Sequence, residues 1–364
     1  MAFWICLDIF LVLLTLSGLT VNKRRKKKIL IKFIYLILFF VSAFRYNLAT
    51  DYSAYVDMFY EVSINDNKIY PEYSYKLFSE ILRNLSFDYQ SIFVIYTIIC
   101  IYFLYKAAKY WSNANENIEL IVVCFFALGF IDGFWESMNT IRQTAAALVI
   151  LYGSRFLYEK KHFKFLCYVT LSVFFHYSAI ICISMLLLPL KIKNKKILVT
   201  LCASSFFIKY LGIEQALYFI FSIIGRGTSY INLAATTGSG IGIVYIISLF
   251  VFSSIFLDYR DSKNVFCNTM FLYGVIVKFV FINFDVIGRF SQYFFSFYFL
   301  SIPMVLLNFL HSRKVKIIPI IFLLACIPVH LYMLYHESIS DTRKVDVRTS
   351  AGNIDYKMNF NILK

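Results

Sequence analysis

The run "HFKFLCYVTLSVFFHYSAIICISMLLLPL" (162–190) is followed at once by "KIKNKK" (191–196) and overlaps the basic patch "EKKHFK" (159–164) at its start. Taken as one membrane span, it would carry four lysines to the face opposite that patch. Taken as a hairpin turning near "FHYSA" (175–179), it returns both basic strings to one face. Each arm is then about 14 residues, roughly 21 Å of helix. That is shorter than a hydrocarbon core of about 30 Å, so the turn belongs in a protein-lined recess just below the surface. Lys and Arg gather in cytoplasmic loops, and the hairpin is the reading that keeps them there.

Composition makes the membrane the right frame. Of 364 residues, 60% are hydrophobic and only 16% charged, and mean hydropathy is +0.69. A soluble domain carries about 25% charged residues, so the apolar surplus here needs a bilayer. The formal net charge of +15 would suggest nucleic acid in a soluble protein. Here the basic residues fall in short loops between apolar runs, which is a topology signal, and no nucleic-acid partner is expected. Eight cysteines lie mostly within apolar runs without CxxC or metal-ligand spacing, so they read as small apolar residues. The first segment has its basic cluster after the apolar run, which marks a retained span rather than a signal peptide.

Further apolar runs lie at 3–21, 29–44, 91–108, 119–135, 141–158, 197–211, 241–257, 265–283, 290–310 and 317–335. With the two arms of the hairpin they make about twelve transmembrane helices. The fold class expected is all-α: one polytopic integral membrane domain over 1–364. "NKRRKKK" (22–28) fixes the first loop in the cytoplasm and the N-terminus outside. Residues 45–90 then form an external loop, in which "YPEYSYKLFSEILRNLSF" (70–87) reads as an interfacial helix. The tail 336–364 is also external. "TTGSGIG" (236–242) has no following lysine and reads as a flexible loop, not a phosphate-binding one.

This topology gathers costly polar residues on the external face: Arg45, Asp51, Arg142, His176, Arg226 and Arg289. A buried arginine in a membrane faces a cavity or a partner, or else snorkels to headgroups. In "ESMNTIRQTA" (136–145), Asn139, Arg142 and Gln143 sit where a span begins, and Asn139-x-x-Arg142 spacing places two of them on one helix face. Converging arginines with a helix N-terminus suit phosphate or pyrophosphate. His176 suits either a general base or a phosphate contact. Asp51 pairs with Arg45, binds a sugar hydroxyl or acts as base. Glu72 and Glu136 are weaker candidates for those acidic roles. Nearby Tyr and Trp either stack on sugars or belong to an aromatic belt.

Three stretches carry a family resemblance. "FRYNLATDYSAYVDMFY" (44–60) is similar to the R-x-x-x-G-T-D-Y-x-x-Y stretch of the EpsG-like family of exopolysaccharide and O-antigen polymerases, with Ala49 where the family often has Gly. "ESMNTIRQTAAALVILYGSRFLYEKKHFKFLCYVTLSVFFHYSAII" (136–181) resembles the family's S-x-N-x-I-R-Q block, basic patch and F-H-x-S-A. "GRFSQYFFSFYFLSIP" (288–303) resembles its R-x-x-x-Y-F…P stretch. The resemblance implies a Wzy-type polymerase with a GT-C-like fold in the bacterial inner membrane. It implies transfer of a growing glycan from undecaprenyl pyrophosphate to the next lipid-linked repeat at the periplasmic face, without metal or cofactor. It also implies a chain-length regulator as partner, beside membrane lipid. Carried onto this chain, Arg142 and Arg289 hold the donor pyrophosphate with Gln143, Arg45 joins them or orients Asp51, and His176 and Asp51 are the catalytic candidates. Competing functions are a lipid-linked oligosaccharide flippase and a membrane O-acetyltransferase. The flippase would need a cavity reachable from both sides, and the acetyltransferase a cytoplasmic site.

Overall fold

The computed structural model describes residues 1–65, 70–129, 133–208, 240–280, 289–311, 317–341 and 356–360. Arg226 and residues 236–239 of the expected "TTGSGIG" loop lie outside them, while residues 240–242 of that loop are helical. Ten α-helices lead: α1 (Ala2–Thr20), α2 (Arg24–Ala43), α3 (Tyr52–Glu61), α4 (Tyr73–Asn84), α5 (Gln90–Trp111), α6 (Glu116–Leu128), α7 (Phe134–Asn139), α8 (Ile141–Tyr158), α9 (His162–Phe175) and α10 (Lys195–Ile208). Further helices span Gly240–Phe256, Ser262–Val280, Gln292–Phe295, Tyr298–His311 and Ile318–Asp341. Among the described residues the fold is all-helical apart from one isolated bridge between Arg45 and Met358.

Among the described residues, four helical stretches are long and apolar enough to cross a membrane: Ala2–Thr20, Gln90–Trp111, Arg289–Leu310 and Ile318–Tyr335. The rest fall short for visible reasons. Five of the first five residues of α2 are basic, and the 119–135 run is cut after Leu128, with α7 following as a separate short helix. The 162–190 run is broken at His176, whose backbone is extended (φ −154°, ψ 121°). Residues Tyr177–Leu186 continue as a 3-10 helix that packs against α9. The run is therefore two arms and not one rod.

α8 sits at the centre, packed on α5 and α9 and buried on nearly every side. Its small residues allow this, since helices in a bilayer associate through close packing rather than hydrophobic exclusion. At Gly153 a Cβ would stand 2.5 Å from Cβ of Tyr168 on α9. Overpacking of this kind costs about 1–3 kcal/mol. Gly153→Leu is expected to lower the thermal stability of the purified protein accordingly, and an unchanged melting temperature would show that α8 and α9 do not meet here.

The external-loop segment folds onto the bundle. Tyr75 donates its hydroxyl to the Tyr55 carbonyl at 2.6 Å, joining α4 to α3. Arg83 donates to the carbonyls of Phe59 and Tyr60 at 2.8 and 2.7 Å and also to Val62, meeting the open C-terminal end of α3. Residues 356–360 are tied down too. Tyr46 N–H donates to the Lys357 carbonyl at 2.9 Å, Asn359 N–H to that of Phe44 at 2.7 Å, and Tyr356 stacks on Phe3 at 4.0 Å. Deeper in the bundle, Nδ1 of His330 lies 2.7 Å from Oδ2 of Asp8, each residue 1% exposed. This pair couples α1 to the Ile318–Asp341 helix.

Candidate active site

Glu72 precedes α4 and is 2% exposed. One carboxylate oxygen meets Nη1 of Arg142 and the other meets Nδ1 of His176. Arg142 opens α8 and His176 is the extended break after α9, so three separate elements converge on one carboxylate. Arg142 also donates Nη2 to the Tyr70 hydroxyl at 2.8 Å and lies 4.6 Å from the Tyr70 ring centre, a cation–π contact. Burial by itself would raise the Glu72 carboxyl. The close contact with His176 and the Arg142 charge outweigh it and hold the group below its ordinary 4.5.

A second cluster lies beside the first. Thr50 Oγ1 donates to Asn139 Oδ1 at 2.8 Å, and Asp51 N–H donates to the same oxygen at 3.2 Å. The turn before them places Ala49 at φ +69°, a left-handed conformation that glycine adopts without strain. Glu136 is half-buried and within electrostatic reach of Asp51, Arg289 and Lys278.

The late stretch closes the site. Gln143 Nε2 donates to the Arg289 carbonyl at 2.9 Å, and Gln292 Nε2 donates to Thr144 Oγ1 at 3.2 Å. Ser178 and Tyr293 share a hydrogen bond of 2.7 Å. The Arg289 side chain is exposed. Gly274, where a Cβ would meet Cα of Phe295 at 2.6 Å, brings the Ser262–Val280 helix against this stretch. Lys278 is one turn further along the same helix face, which packs on Arg289–Ser291.

Two expectations need correction. Asn139 and Arg142 do not share a helix face, because the helix breaks at Thr140 (φ −99°, ψ 59°). Asn139 ends α7 and turns to Thr50 and Asp51, while Arg142 turns to Glu72. Arg45 does not stand among ligand-facing cations. It is fully buried, donates to the Ser42 and Met138 carbonyls at 2.6 and 2.8 Å, and lies 4.2 Å from the Phe93 ring centre. Its guanidinium ties α2 to the end of α7, which fixes Asn139 next door. Sequence reasoning missed Tyr70, Lys278, Gln292 and the Ser178–Tyr293 pair. Tyr293 and Ser178 were visible inside quoted stretches; Lys278 gave no signal beyond a lysine late in an apolar run.

The stretches around 45–51, 136–145, 176–179 and 289–293 thus meet through hydrogen bonds between side chains and backbone. The model of the EpsG family matches residues 28–349. The chain belongs to the EpsG family. This is a family of Wzy-like polymerases, and the match takes in every EpsG-family residue placed above. No curated protein and no solved structure matches the chain. Polysaccharide biosynthesis by a multi-pass membrane polymerase is the activity that family membership and the apolar helices support.

Proposed function

We propose that this chain polymerises lipid-linked oligosaccharide repeats, such as those of O-antigen or a related surface polysaccharide. The growing glycan leaves undecaprenyl pyrophosphate and joins a hydroxyl of the next lipid-linked repeat, at the periplasmic face of the bacterial inner membrane. The helices form a GT-C-like bundle of about twelve spans, counting arms too short to cross alone. The observation that carries the reading is the Arg142–Glu72–His176 group, tied through the neighbouring Gln143 to the Arg289 stretch, with the cations of Arg289 and Lys278 within reach of Glu136.

In this reading His176 is the base. A carboxylate on Nδ1 fixes the tautomer in which Nε2 accepts a proton and stabilises the imidazolium that forms. Arg142 already has its charge met by Glu72, so it braces the pair. Arg289 and Lys278 hold the donor pyrophosphate, where negative charge grows as the glycosidic bond breaks. Asp51, held by Asn139, orients the acceptor sugar, and Gln143 sets the position of Arg289 through its carbonyl. A chain-length regulator is the expected protein partner.

Deletion of the gene tests the activity. A polymerase loss leaves a single repeat on the final acceptor, whereas a flippase loss leaves none. On the purified protein, Arg289→Met is expected to cost ten- to a hundredfold in lipid-linked polymerisation, the worth of one charge-assisted hydrogen bond of about 1.5–3 kcal/mol. Full activity of that variant would remove Arg289 from the donor site.

A further inference from the structure

At the end of the bundle that carries the basic strings, a cavity of about 220 Å³ opens between α2, α5 and the start of α6. Lys28, Lys32 and Lys109 line it together with Glu116 and Glu119. Lys32 and Tyr105 also line a second, larger space, an apolar groove of about 540 Å³ in the seam between α2 and α5. Its walls are Leu36, Phe39, Ile98, Ile101 and Tyr102. The two spaces adjoin at these shared residues, a charged head next to an apolar tail.

The dimensions and chemistry agree. From Lys28 to Phe39 is eleven residues of α2, about 16 Å of helix, which is close to half of a hydrocarbon core of about 30 Å. Glu116 is met by Arg24 at 2.5 Å and Lys28 at 3.9 Å. Counting Arg24, four cations stand against two carboxylates, so the head of the cavity is net positive. Tyr35 closes the inner wall of the groove, 6% exposed and with its hydroxyl enclosed.

We infer that the α2–α5 seam is a binding site for one anionic phospholipid of the leaflet next to the Lys-rich loops. The phosphate sits among Lys28, Lys32 and Lys109, and an acyl chain fills the groove beside Ile98 and Leu36. The site lies away from the Arg142–Glu72–His176 group and does not depend on the polymerase assignment.

Native mass spectrometry of the full-length protein in detergent, titrated with phosphatidylglycerol or phosphatidylcholine, tests the inference. Phosphatidylglycerol is expected to bind the more tightly. Lys28, Lys32 and Lys109 are all exposed, so Lys→Met changes there leave the core intact. Each is expected to weaken phosphatidylglycerol binding about fivefold, the effect of one basic residue near a charged membrane surface. Ile98→Trp, at a residue 52% exposed, fills the groove and should weaken phosphatidylglycerol at least as much with every lysine in place. Equal binding of the two lipids, indifference to the lysine changes, or indifference to Ile98→Trp each overturns the site. Displacement of phosphatidylglycerol by millimolar inorganic phosphate would also overturn it, in favour of a plain phosphate pocket.

Discussion

Glu72→Gln is expected to destabilise the protein by about 3–5 kcal/mol and to abolish polymer formation. The side chains of Arg142 and Glu72 are 7% and 3% exposed. Removing one partner of a buried pair leaves the other charge without compensation, which is far more costly than removing both. The double variant Glu72→Met with Arg142→Met should therefore recover a large part of the stability lost in the single variant, though no activity. The pH dependence has a definite sign. The folded-state carboxyl lies below its ordinary 4.5, so its stabilising contribution is complete above about 4.5 and is lost as pH falls through the lower folded value. Thermal unfolding in detergent should show the gap between wild type and Glu72→Gln still present at pH 5 and shrinking below 4.5. A gap that stays constant down to pH 3 would mean that Glu72 is not the ionised partner of Arg142 and His176.

His176→Ala is expected to lower polymerisation by roughly 10²–10⁴-fold, the range for loss of a positioned general base. His176→Gln should be equally inactive, since an amide donates a hydrogen bond but has no useful basicity. Asp51→Asn, which keeps the N–H bonded to Asn139, should lose much less. The comparison needs purified protein and lipid-linked repeats, with folding of each variant confirmed. Substantial activity in His176→Gln alongside an inactive Ala variant would turn His176 into a phosphate donor. A dead Asp51→Asn with an active His176→Gln would move the base to Asp51. The first result would leave the polymerase intact and change only the part His176 plays in it.

Much of this protein is written locally in its chain. Apolar runs and basic strings mark helices and turns because burial and charge act on each segment as it stands. α1, α5 and the Ile318–Asp341 helix follow from this, and so does the break at His176, once four lysines after the run had to be returned to their own side. The clustered polar motifs also located the regions that meet. Their partners were beyond reach. Glu72 joins Arg142 across 70 residues, and nothing in "YPEYSYKLF" says which cation it will meet. Arg45 reads like its neighbours in the motif, yet lies wholly enclosed on two backbone carbonyls. Asn139 and Arg142 have helical spacing, but Thr140 breaks the helix between them. The cost of burying a charge depends on what stands within a few ångströms in space. Chain order fixes which residues are costly, and only packing decides which partner offsets each one.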